Sequence, residues 1–431
     1  MSSHQKHHKS WMRLDNAALI YPAVRKRDWM AMFRLTADLT EPVDKSVLEK
    51  ALSLTINRFP SFRVRLRRGL FWFYLESIED EPRVREDVAN PCVRMDFSEN
   101  NGYMFRVRYY KKRVSIEIFH VVADGTGGLS FFKTMLAEYI RIKYGEDTPR
   151  DYDVVDCSTP CDPEELEDAF HKYARRVAKP RNEPSAYSLA GTREERNLVH
   201  ITTGIADSAA IMQAAKAKGV SITAYLTSVL IMALCEYQRG RDIPQMWRKP
   251  IKVNVPVNLR QYYPTITKRN FSQYVNPGIE PKFGEHTFDE VLNQVHHFLK
   301  LEINEKNMNA RFSRNVMDAE MGVVRVVPLF LKNIILRMNF NVVGDNLTTS
   351  SMSNLGLVRL PDVMEKYIDR MDFIMGPLRR NPVVMAAGTY KDKMYINFTR
   401  TIKETDVERD FFRFLVRQGI GVMIESNNLP E

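Results

Sequence analysis

The run Val114-Ser115-Ile116-Glu117-Ile118-Phe119-His120 alternates with a period of two and breaks off four residues before Asp124-Gly125-Thr126-Gly127-Gly128. Successive side chains of a strand point to opposite faces, so Val114, Ile116, Ile118 and His120 share one face and Ser115, Glu117 and Phe119 the other. From Gly127 to Tyr144 the apolar spacing turns helical. A strand that runs through a glycine-rich loop into a long helix places sheet and helix in one packed unit. His120 ends the apolar face. An imidazole there stays neutral because desolvation disfavours its charged form, and the neutral form accepts protons, which suits a general base. The competing reading of any single histidine is a satisfied core residue. Asp124 has three uses open to it: capping the helix, orienting the histidine, or pairing with a distant arginine. The glycines let the loop turn sharply. A phosphate cradle is disfavoured, because no Gly-Lys-Ser/Thr signature follows.

The chain has 431 residues, which divide naturally into two domains of about 200 residues each. Before the motif, strands are expected at Trp29 to Leu39, Phe62 to Leu66 and Leu70 to Leu75, with a helix from Val43 to Asn57 closed by Pro60. Strands from Met104 to Tyr110 and Val114 to His120 form a hairpin through Lys111-Lys112-Arg113. The stretch from Glu146 to about Arg196 carries little apolar periodicity beyond one short helix near Glu164 to Val177 and reads as a linker. Beyond it come a strand from Asn197 to Thr203, helices at Ser208 to Ala217 and Ile222 to Tyr237, a strand from Ile251 to Val257 and a helix from Phe288 to Leu301. An apolar helix follows Pro328, then strands at Tyr367 to Met375, Val383 to Tyr390 and Met394 to Thr399, and a closing helix from Thr405 to Ile424. The expected class is α+β, with an N-terminal lobe over 1–160, a linker over 161–195 and a C-terminal lobe over 196–431.

The net charge of +10 suits nucleic acid, an anionic surface or a phosphorylated cofactor. The basic residues are scattered, and Arg63, Arg65, Arg67 and Arg68 read as one solvated strand face, so no nucleic-acid partner is expected. The polar N-terminus lacks a secretory apolar run, and no stretch reaches the roughly 18 apolar residues of a membrane span, so a cytoplasmic protein without a transmembrane segment is expected. Of the four cysteines, Cys157 and Cys161 have no second pair at metal-ligand spacing, and Cys92 and Cys235 sit in ordinary segments, which favours reduced thiols and no thiol nucleophile. The other histidines lack an HExxH spacing, so no metal is expected.

His120-Val121-Val122-Ala123-Asp124-Gly125 resembles the HxxxDG motif of the superfamily of chloramphenicol acetyltransferase, nonribosomal peptide condensation domains and alcohol acetyltransferases. Val255-Pro256-Val257-Asn258-Leu259-Arg260 is similar to the strand end whose arginine pairs with the motif aspartate in that superfamily. Ser351-Met352-Ser353-Asn354-Leu355-Gly356 resembles the SNxG segment near the acyl channel of alcohol-acetyltransferase-like members. Asn57-Arg58-Phe59-Pro60-Ser61-Phe62-Arg63 is similar to an early RFP-x-R stretch. Phe119 stands where condensation domains often carry a first histidine, and the DFGWG segment of the plant acyltransferases is missing, so the alcohol acetyltransferase branch is the nearest.

The resemblance implies two lobes forming a pseudo-dimer around a central channel, with His120 midway. It implies an ion pair between Asp124 and Arg260, structural support from Gly125, and Ser353 or the amide of Asn354 as oxyanion donor. It implies acyl-CoA, acetyl-CoA included, as a co-substrate with no permanently bound cofactor, and a small, apolar alcohol or amine as acceptor, with the helix from Pro328 to Met338 lining the pocket. An acyl carrier protein as donor, and a non-catalytic relative that binds a hydrophobic ligand, are the alternatives.

Overall fold

In the computed structural model, which describes residues 10–25, 29–176, 183–241, 243–321, 326–339 and 345–427, the hairpin expected before the motif is formed by Phe105–Tyr110 and Arg113–Phe119. Tyr110 pairs with Arg113 across a two-residue turn. The strand Arg113–Phe119 is the middle member of a five-stranded sheet ordered Ile368–Met375, Met32–Leu39, Arg113–Phe119, Phe105–Tyr110, Val84–Glu86. Both its faces are buried. Val114, Ile116 and Ile118 join a core to which the helices Lys45–Arg58 and Gly125–Tyr144 contribute Leu48, Leu52, Phe131 and Met135.

The opposite face is polar yet closed to solvent. Glu117 accepts from Arg34 Nη1 at 3.0 Å, from Arg106, and from the Cys92 N–H at 2.7 Å. Burial alone would raise this carboxyl, but Arg106 and Arg34 hold it below the usual carboxylate range.

A second sheet runs Ser272–Val275, Ile251–Asn258, Ser350–Val358, Val383–Tyr390, Lys393–Arg400, His200–Asp207, Val422–Ser426, with Gly278–Ile279 also pairing onto Ile251–Asn258. Its core takes Leu226, Val229 and Leu230 from the helix Ile222–Arg239, Val295 from Phe288–Glu302 and Phe411 from Asp406–Arg417. A small sheet of Trp11–Arg13, Phe73–Ser77 and Val64–Arg68 flanks the first. The fold is therefore α+β, in two lobes of mixed sheet and helix.

One strand crosses between the lobes. Ile368–Met375 lies among C-terminal elements in sequence, yet it pairs antiparallel with Met32–Leu39, Phe373 facing Leu35. Alternation marks a strand without naming its partner. The stretch read as a linker is docked: Glu165, in the short helical turn Pro163–Leu166, takes a two-pronged bond from Arg58 at 2.6 and 3.0 Å, and its carbonyl accepts from the Lys268 N–H at 2.9 Å. Ala169, Phe170, Tyr187 and Leu189 of the same stretch join the core of the second sheet, too widely spaced to read as one periodic face.

The closing helix stops at Arg417, before Gly419 at φ 79°, and an edge strand Val422–Ser426 takes over. The helix Glu305–Glu320 was not expected. The helix Leu329–Asn339 corrects a pocket-wall expectation: Phe330, Leu331, Ile334, Ile335 and Met338 are exposed. Lys332, buried on the inner side with Leu329, sends Nζ to the Phe71 carbonyl at 3.0 Å, and the exposed Arg337 sends Nε to the Ala23 carbonyl at 2.6 Å, so both cations bond the neighbouring lobe while most of the apolar residues face out. No single described helix is long and apolar enough to cross a membrane, and the apolar pair Ser208–Ala217 and Ile222–Arg239 is bent by 87°.

Candidate active site

His120 follows directly on the central strand, and its N–H donates to the Ala31 carbonyl at 3.0 Å. Its imidazole sits between two aromatic rings: Tyr21 stacks on it with centroids 5.3 Å apart and planes 22° apart, and Phe33 tilts against it at 4.9 Å. Burial pushes the imidazole below its ordinary range, outweighing the opposite pull of Asp124 and Asn270, so His120 is neutral at neutral pH. Its Nδ1 is buried without a hydrogen-bond partner. Among the described residues no carboxylate bonds the ring nitrogen Nδ1 in the manner of a Ser-His-Asp triad.

Asp124 fills two of its three expected uses. Its Oδ1 caps the helix Gly125–Tyr144 by accepting the Gly127 N–H at 3.0 Å. Its Oδ2 accepts from Arg260 Nη1 and from the Phe271 N–H, both at 2.8 Å. Burial by itself would raise this carboxyl, but the Arg260 guanidinium holds it below the usual carboxylate range. Arg260 follows the strand Ile251–Asn258 and also donates to the Thr267 carbonyl at 3.1 Å and the Arg269 carbonyl at 2.6 Å. One guanidinium therefore shapes the loop 260–271 and pins it to the motif.

The glycines serve a purpose other than a sharp turn. Gly125, Gly127 and Gly128 are absent from the positions at positive φ. A Cβ on Gly127 would overlap the Lys268 carbonyl, and one on Gly128 would come within 2.8 Å of Ile118 and Phe33. The motif glycines let another backbone and the sheet approach the first helical turn.

Leu355 of the SNxG segment lies 3.1 Å from where a Gly125 Cβ would stand, which brings the third motif beside the first. Ser353 is half-buried and pairs with Ala386 in the second sheet. Asn354 is occupied locally: its Oδ1 accepts the Gly356 N–H at 2.8 Å, where Gly356 takes φ 72°, and its Nδ2 donates to Thr223 Oγ1 at 3.3 Å. The residues that sequence reasoning missed are Tyr21, Asp15 and Asn270. Asn270 Nδ2 donates to the His120 carbonyl at 3.0 Å and to Asp15 Oδ2 at 3.1 Å. None of the three belongs to a motif, and their only sequence signal is that Asn270 falls in the loop after Arg260.

A family model described as alcohol acetyltransferase matches residues 169–373, a span that holds Arg260, Ser353 and Asn354 but not His120 or Asp124. No curated protein matches the sequence. Among solved structures, the trichothecene 15-O-acetyltransferase TRI3 from Fusarium sporotrichioides is 11% identical, covering 96% of each chain with a TM-score of 0.59. F. sporotrichioides TRI101, solved with coenzyme A and T-2, is 11% identical, covering 95% of this chain and 99% of that one, with a TM-score of 0.59. The first condensation domain of the CDA synthetase is 14% identical, covering 94% of this chain and 95% of that one, with a TM-score of 0.56. At these identities the likeness is one of fold. The chain is thus alcohol acetyltransferase-like: it matches that acyltransferase family over residues 169–373 and carries, along its length, the two-lobed fold of the condensation-domain and trichothecene acetyltransferase structures.

Proposed function

We propose that this chain transfers an acyl group from acyl-coenzyme A to a small, apolar alcohol or amine, with His120 as general base. The observation that carries the reading is a half-buried imidazole, kept neutral by desolvation, at the place where the HxxxDG loop of one lobe meets the Arg260 loop of the other. The acceptor hydroxyl or amine attacks the thioester carbonyl while His120 takes its proton. The tetrahedral intermediate then expels the thiolate, which receives the proton from the imidazolium. General acid–base help of this kind is worth roughly 10²–10⁴-fold, and no acyl-enzyme forms. Ser353 or the Asn354 N–H supplies the oxyanion donor, and Asp124, Gly125 and Arg260 hold the loop that aims the base.

Coenzyme A as donor is supported by the structural neighbour solved with it and by a net charge of +10, which suits a phosphorylated donor. A cytoplasmic setting fits four free cysteines. The condensation-domain neighbour supports a second reading, in which the acyl group arrives on a carrier protein. The test is thiol release from acetyl-CoA and longer acyl-CoAs with a panel of alcohols and amines. Release that depends on the acceptor supports the reading. No release with free thioesters but turnover with loaded carrier protein favours the second, and failure of both leaves a non-catalytic binding protein.

A further inference from the structure

The acyl-transfer reading leaves the buried cluster around Asp15 without a role. Asp15 and Asn270 are both closed to solvent, and both Asp15 oxygens are engaged. The Ala18 N–H donates to Oδ1 at 2.8 Å, Asn270 Nδ2 donates to Oδ2 at 3.1 Å, and Arg269 Nε lies 3.7 Å from Oδ2. The same Asn270 nitrogen donates to the His120 carbonyl at 3.0 Å. An amide NH₂ has two hydrogens, so both bonds form at once. The turn that Asp15 closes through Ala18 leads into the helix Ile20–Val24, which lays Tyr21 on the His120 ring. Three stretches far apart in sequence therefore converge on one amide.

Such an arrangement is costly if it only fills space. Burial pushes the Asp15 carboxyl up to about 6 despite Arg269, and an apolar or amide side chain would avoid that penalty. The Arg260–Asp124 pair acts four residues downstream of the base, whereas Asn270 acts on residue 120 itself. We propose that Asp15 and Asn270 are positioning residues for His120, forming a second clamp between the lobes that fixes its main chain through Asn270 and its ring through Tyr21. The inference rests on His120 being the base. Removing this clamp leaves the loop anchored at Asp124 but frees the imidazole to drift, and reaction geometry tolerates little drift.

The test compares N270A and D15N with N100A, which removes a buried amide elsewhere in the N-terminal lobe, one bonded to the Arg83 N–H and the Phe105 carbonyl. His120 is observed by NMR in protein labelled at histidine Cε1, with no substrate present and the resonance assigned from H120A. The stacked Tyr21 ring shifts that proton. N270A and D15N are expected to move the His120 resonance, N100A is not, and kcat is expected to fall on the order of 10²-fold with KM unchanged in the first two. D15N keeps the side-chain shape and decides the matter if N270A does not fold. An unmoved His120 resonance in the folded variants overturns the clamp whatever the activity. A moved resonance in a protein whose transfer survives H120A upholds the positioning and overturns His120 as base.

Discussion

Arg260 donates to Asp124 across 136 residues of sequence, at 2.8 Å, and both side chains are almost wholly buried. The pair joins the two lobes at the loop that carries His120, so its disruption reaches stability and the site together. Removing one partner leaves an unpaired charge in a desolvated place, which costs about 3–5 kcal/mol. Asp124→Ala and Arg260→Ala are each expected to lower the denaturation midpoint and the folding yield together with activity. Normal yield with near-normal turnover in Asp124→Ala would remove the role given to the pair.

Gly127 gives a second handle on the same contact. A methyl there meets the Lys268 carbonyl, whereas a methyl on Gly388 meets nothing within 4 Å. Gly127→Ala is expected to cost about 1–3 kcal/mol by overpacking, and Gly388→Ala to be close to neutral. Urea unfolding of the two variants separates them, and equal midpoints would contradict the close approach.

The pH profile of kcat/KM follows from the desolvated imidazole. A base must be neutral, and burial lowers the pKa of His120, so activity is full at neutral pH and is lost as pH falls through a value below the ordinary imidazole figure of about 6.5. An acidic limb centred above pH 7 would mean that another group acts as base or that the ring is not desolvated.

Asp15 makes a stability prediction of the opposite kind to Asp124. Its folded pKa is raised to about 6 from 3.8, so the proton binds more tightly in the folded state. Stability from this group is therefore greatest at low pH and is lost as pH rises through about 6. The melting temperature of the native chain minus that of Asp15→Asn should shrink between pH 5 and pH 7, and a difference that grows would contradict the buried carboxyl.

The layout of the motif loop was legible because it is local. The alternation up to His120 fixed which face the histidine shares, and the spacing to Asp124 marked a carboxylate at the start of a helix. Arg260 was legible only through the resemblance. Tyr21, Asp15 and Asn270 were not legible, because their roles arise from contacts over sequence separations such as 255 between Asn270 and Asp15 and 150 between Asn270 and His120. The same limit explains the helix Leu329–Asn339. Its apolar spacing announced a helix, but an apolar face normally turns inward, and here Lys332 takes the inner side and, with Arg337, bonds carbonyls of the other lobe. The strand Ile368–Met375 was found in sequence and its sheet was not, since pairing is a property of the partner as much as of the strand.

The central claim is tested most directly by the rate of acceptor-dependent thiol release from an acyl-CoA, measured for the native chain and for His120→Ala at neutral pH. Release is expected in the native chain, with a loss of roughly 10²–10⁴-fold in the variant and the fold intact. Undiminished release in a correctly folded His120→Ala would show that the transfer does not use this imidazole.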